Sequence, residues 1–195
     1  DGDDGRLTNN GCAGIDGSFL RDGARADGTR DVNYTGLLPD RFRCMAQRGS
    51  SGCGFEASLG AMRRALEPGH NPGFLRGDAA LGIVIQTDED DCSVADPTFF
   101  GDPNATVASP LGPRTSFRCH EFGVQCDDDP EPRAFGVRTG CRSREDSPFM
   151  PSVASYVRFL VALKPAPGQV AVTAMFGEVD AARTVEIGPD PNDTS

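Results

Sequence analysis

The sequence predicts an α/β protein whose sheet is mainly parallel and covered by helices, and three observations carry that reading. An apolar run over residues 80–87 has the length of a buried strand and stops abruptly at four acids, Asp88, Glu89, Asp90 and Asp91. A second apolar strand, residues 169–176, closes on Gly177. Each strand follows a segment with helical apolar spacing, and helix, strand, helix, strand is the rhythm of parallel strands joined by helical crossovers. An open sheet of this kind delivers whatever follows a central strand to the crevice at its carboxyl edge, where ligands and ions sit. Asp88 is therefore the leading candidate functional residue. Glu89, Asp90 and Asp91 stand beside it, and a hard divalent cation with oxygen ligands relieves the repulsion between such neighbours. A solvated acidic turn is the competing reading of the same residues.

The elements follow in chain order. Residues 1–40 are rich in Gly, Asp, Asn and Arg without an apolar period, and read as an irregular loop region. Within it Asp1 to Gly5 resembles a calcium loop only loosely, since Arg6 and Cys12 stand where that motif needs Gly and Glu, and a turn is the better reading. Cys44 and Cys53 enclose a short flexible loop, which predicts a disulfide between them. Phe55, Leu59, Met62 and Leu66 recur at helical spacing, so residues 55–66 read as an amphipathic helix that Pro68-Gly69 ends. His70 and His120 lack acid, Ser or Cys partners at a catalytic spacing and read as loop or surface residues. Residues 94–150 hold seven of the fifteen prolines and a second acidic run, Asp127 to Asp129, and read as a long insertion stapled by Cys119 and Cys126, with Cys141 pairing elsewhere. Residues 152–163 form a second amphipathic helix with Ser152 as N-cap. Residues 179–195 read as a tail or linker, leaving 41–178 as the α/β domain.

Composition bounds the function. A net charge of −10 argues against nucleic acid and anionic membrane surfaces and suits cations or basic partners. No apolar run is long enough to span a membrane. Seven cysteines, Cys12, Cys44, Cys53, Cys92, Cys119, Cys126 and Cys141, are many for a reducing cytosol and show no zinc spacing, so disulfides in an extracytoplasmic compartment are expected. Their odd number leaves one free, paired between chains, or without a partner in these residues.

Several segments together resemble the von Willebrand factor type A domain, in the cysteine-rich version found in predicted lipoproteins and secreted proteins of myxobacteria and their relatives. They are Phe42-Arg-Cys44, Gly52-Cys-Gly-Phe-Glu56 with its helix, Asn71 to Arg76, Ala80 to Ser93, and Tyr156 to Leu160 followed by Lys164-Pro and the strand to Gly177. The resemblance implies a doubly wound sheet holding a divalent ion, most often Mg²⁺ and otherwise Mn²⁺ or Ca²⁺, in a metal-ion-dependent adhesion site that a partner protein's carboxylate completes. Of the family's three ligand loops only one has a counterpart here, Thr87-Asp88, with Glu89 where the family often has Gly. The Asp-x-Ser-x-Ser motif and its strand do not occur, which implies that the sheet is incomplete and that the first strands lie upstream. Cys92 is expected to anchor the acidic loop through a disulfide.

The sequence thus points to a non-enzymatic extracytoplasmic binding or adhesion module, secreted or held at the cell envelope. A disulfide-rich structural envelope protein is the alternative, and a secreted metal-dependent hydrolase ranks behind both, because adjacent carboxylates on one turn rarely straddle a substrate.

Overall fold

The computed structural model describes residues 4–47, 49, 54–128, 131 and 133–189. The chain divides into two units, one of residues 1–52 with 62–76, the other of residues 53–61 with 77–195.

In the first unit a tight turn makes the hairpin. Gly28, at φ 84°, lets the chain reverse between β1 (Asp22–Ala24) and β2 (Arg30–Val32), which pair antiparallel with Asp22 opposite Val32. Asp27 fixes that turn by accepting from the Thr29 hydroxyl at 2.6 Å and backbone N–H at 2.9 Å, bonds that hold its carboxyl below the usual range. The region read as irregular therefore has a local skeleton built from short polar side chains. Pro39 opens helix α1 (Leu38–Ala46), where its missing N–H costs nothing. This helix corrects the disulfide expected between Cys44 and Cys53. Cys44 stands on α1 and is bonded to Cys12 across the N-terminal loop, while Cys53 lies outside the described residues. Asp4, in a turn with Gly5, takes the guanidinium of Arg64 through two bonds of 2.9 Å, and this pairing keeps its carboxyl below the ordinary value. Asn71 then ties the N-terminal segment down, bonding Gly5, Leu7 and Ala65.

The second unit contains the predicted parallel pair. β3 (Leu81–Gln86) lies beside β7 (Val170–Met175), with Leu81 opposite Val170 and Gln86 opposite Met175. Helix α4 (Val153–Ala162) precedes β7, and Ser152 caps it as expected, its hydroxyl accepting from the Ser155 N–H at 3.1 Å. Helix α2 (Ser58–Leu66) starts three residues later than its apolar spacing implies, because Phe55 is drawn into a ring cluster and the Glu56 carbonyl accepts from Cys92 N–H. The strand at 81–86 is not buried on both faces: Leu81, Ile83 and Ile85 are half-buried while Gly82, Val84 and Gln86 are exposed. In β7 only Val170 is sheltered.

The core sits instead in the insertion. Phe99 is fully buried against the Cys92–Cys119 disulfide, and Phe55, Phe100, Phe122 and Phe149 meet it edge to face at 5.5–6.2 Å. A 3₁₀ turn at Pro97–Phe100, capped by Asp96, presents Phe99. Helix α3 (Phe117–Gly123) presents Cys119 and Phe122, and also Arg118. The guanidinium of Arg118 is 1% exposed and donates to four carbonyls, those of Pro113, Phe99, Phe100 and Gly112, at 2.6–3.0 Å.

Short antiparallel pairs complete the unit: β4 (Val124–Gln125) with β6 (Arg142–Ser143), and β5 (Gly136–Arg138) with β8 (Val185–Ile187). The first of these corrects the expected staple between Cys119 and Cys126. Gln125 opposite Arg142 places Cys126 next to Cys141, and these two are bonded, while Cys119 belongs to Cys92. The pair β5 and β8 also carries order past residue 179, beyond where the sequence reads as tail. Among the described residues the fold is mixed α/β with four helices, small sheets including one parallel pair, and no closed barrel. No helix among them is long and apolar enough to cross a membrane.

Candidate functional site

The loop that leaves β3 is anchored at both ends. At its start, Thr87 N–H extends the sheet ladder to the Met175 carbonyl at 3.1 Å. The Thr87 hydroxyl donates to the Glu89 carbonyl and accepts the Glu89 N–H, closing a small turn. At its end, Cys92 is bonded to Cys119, the anchoring disulfide expected of it beside four acids.

Between these anchors the four acids separate into two kinds. Asp91 is half-buried and fully employed: its carboxylate accepts from Leu59 N–H at 2.9 Å, from the Ser93 hydroxyl at 2.8 Å and from Ser93 N–H at 3.2 Å. The Ser93 hydroxyl in turn accepts from Gly60 N–H at 2.6 Å. Leu59 and Gly60 lie in the first turn of α2, whose N–H groups have no partners within the helix, so Asp91 and Ser93 cap α2 from a distant part of the sequence. Gly60 is required there, since a Cβ would stand 2.9 Å from the Ser93 oxygen.

Asp88, Glu89 and Asp90 are the second kind. All three are exposed, and the side-chain hydrogen bonds of the loop are carried by Thr87, Asp91 and Ser93. The loop therefore holds three carboxylates toward solvent on a backbone fixed by a sheet bond, a helix cap and a disulfide. Preorganised charge of one sign is suited to a cation or a basic partner.

Mg²⁺ keeps about six oxygens in octahedral order and is held by one or two carboxylates plus other oxygens. Asp88 stands at the carboxyl end of the parallel pair, where such an ion is expected. Thr87 is spent on the turn and Asp91 on the helix cap. Among the described residues no group of three or more His, Cys, Asp or Glu side chains converges to hold a metal. The donor set around Asp88 therefore does not by itself make a complete metal centre.

His70 contacts the Asp4 carbonyl at 2.6 Å, and His120 lies against the Phe117 ring. Neither stands in the acidic loop. Sequence reasoning did not single out Ser93 or Arg118. The spacing Asp91-x-Ser93 is a signal for the first, because an Asp two residues before a Ser or Thr closes a local turn. No local pattern marks a buried arginine bonded only to carbonyls.

The molecule is thus a disulfide-bonded, mixed α/β protein presenting an acidic loop at the carboxyl end of a parallel strand pair. Comparison with protein-family models, with curated proteins and with solved structures finds no match to this chain.

Proposed function

We propose that the chain is a non-enzymatic extracytoplasmic binding module and that its contact face is the loop bearing Asp88, Glu89 and Asp90. The observation that carries this reading is the division of labour in the loop, in which Asp91, Cys92 and Ser93 hold the backbone while the other three acids face solvent. Three intrachain disulfides suit an oxidising compartment, secreted or at the envelope. The parallel pair β3 and β7, with α4 ahead of β7, is the unit from which a doubly wound sheet is built, and it supports the resemblance to von Willebrand factor type A domains.

In that reading Asp88 is the residue that would ligate Mg²⁺, Mn²⁺ or Ca²⁺, with Glu89 and Asp90 adding to the field around it, and a carboxylate of a protein partner would supply a further oxygen. Affinity in this chain alone would be weak, because one strand-end carboxylate replaces few of the ion's waters. Calorimetric titration of the three ions into wild type and Asp88→Ala tests it. Saturable heat in wild type, absent from the variant, supports the metal-dependent site. Identical weak heats in both would sink it and leave an acidic surface that acts without metal.

One observation favours a second reading, that of a structural envelope protein without a metal site: among the described residues no three His, Cys, Asp or Glu side chains gather into a metal-holding group. A hydrolase is disfavoured because three consecutive exposed acids present no opposed acid and base. Turnover of peptide, ester or glycoside substrates that disappears in Asp88→Ala would reverse that order.

A further inference from the structure

Behind the acidic loop lies a pocket of about 200 Å³ that the loop alone does not explain. Its walls come from five parts of the second unit, and they are chiefly apolar: Leu59 at the start of α2, Val124 on β4, Met150, and Tyr156 on α4, with Cys119 of the core disulfide behind. Three charged residues line it. Asp90 is exposed on the side of the acidic loop, and Arg144 is half-buried on the side of β6.

The size decides the class of ligand. Pockets for whole small molecules run to roughly 300–1,000 Å³, whereas this one matches a single large side chain. A shallow apolar socket rimmed by charge is also the form taken by anchor sites at protein interfaces, where one buried side chain supplies most of the binding energy and the polar rim sets the partner. The charge balance narrows the partner further. Asp91, which also lines the pocket, is engaged by three donors, so Asp90 is the carboxylate left to face a ligand. With a net charge of −10 over the chain, a basic segment is the complement.

We propose that this pocket receives one apolar side chain of a protein ligand, with a basic residue of that ligand beside Asp90 and a backbone carbonyl or carboxylate facing Arg144. The inference rests on the acidic loop being a contact face, and it names the chemistry of the partner.

Amide-resolved NMR titration of the intact chain with three capped dipeptides tests it: acetyl-Leu-Arg-amide, acetyl-Ala-Arg-amide and acetyl-Leu-Glu-amide. The Leu-Arg probe is expected to shift the amides of Leu59, Val124 and Tyr156 saturably. Its affinity should exceed that of Ala-Arg at least about tenfold, the low end of what a single methylene is worth in a hydrophobic socket. It should exceed that of Leu-Glu about threefold, as expected of an exposed charge pair. Ser143→Trp, which adds bulk at an exposed rim position, should abolish the Leu-dependent shifts while the rest of the spectrum stays dispersed. Asp90→Asn should remove only the preference for Arg. Equal affinity for all three probes, or shifts that avoid the pocket, would overturn the proposal while the metal titration at Asp88 still stands or falls separately. Leu-dependent binding untouched by Asp90→Asn would overturn its basic half and count against the acidic loop as the contact face.

Discussion

Arg118 is tightly constrained, because a buried guanidinium that meets carbonyls rather than a carboxylate must have every bond in place. Burial pulls its pKa below the ordinary arginine value, and Arg114 and Arg133 add to the same direction, yet the group stays charged. Its planar fork reaches the 3₁₀ turn at Phe99 and Phe100 and the loop at Gly112 and Pro113 together, so it fixes the segment that delivers Phe99 to the core. Arg118→Met should lower stability by about 2–4 kcal/mol in denaturant unfolding, the cost of leaving buried carbonyls unpaired. Arg118→Lys should recover little of it, since an ammonium lacks the fork. This residue was illegible in the sequence because its partners are backbone atoms brought by folding, 5–19 residues away. By contrast the turns at Asp27, Asp91 and Asp96 share one spacing, an acid two residues before Ser or Thr, and that could have been read directly.

At the scale of elements, the acidic loop and α2 are one device. Asp91 and Ser93 satisfy N–H groups in the helix's first turn, and Gly60 leaves room for the Ser93 hydroxyl to approach. Gly60→Ala would gain helix propensity, but its Cβ would stand 3.2 Å from that of Ser93 and closer to the hydroxyl oxygen. The expected net result is a loss of about 1–2 kcal/mol by thermal unfolding, with Gly60→Ala/Ser93→Ala recovering part of it because the obstruction is gone. The strands at 81–86 and 170–175 and the helix at 153–162 were legible because their apolar patterns run long enough to declare a period. Helices α1 and α3 were not. Each spans at most nine residues; α1 opens on a proline and buries none of its residues, and α3 is only seven residues long and buries an arginine. The acidic loop was legible as a place and not as a division of roles, since four like residues in a row give no clue that Asp91 turns inward.

At the scale of the molecule, disulfides do much of what a small apolar fraction cannot. The Cys92–Cys119 bond is itself core, with both residues at most 4% exposed, whereas Cys126, next to β4, is half-buried and its partner Cys141 is 8% exposed. A thiol reductant must reach a sulfur to exchange with it. Under limited reduction, mass mapping of alkylated cysteines should therefore find Cys126 and Cys141 labelled before Cys92 and Cys119. The reverse order would mean that the Phe99 core opens more readily than the β4 and β6 pair. The parallel strand pair has a consequence of another kind. Among the described residues β3 and β7 bond only to each other, and neither carries a charge or a proline along its length. Such strands are templates for further strands. At neutral pH a net charge of −10 opposes the approach of a second copy, and near pH 4.6 that repulsion vanishes. Near that pH the open strand edges are therefore expected to favour pairing between copies, read as light scattering that rises near pH 4.6 and is absent at neutral pH.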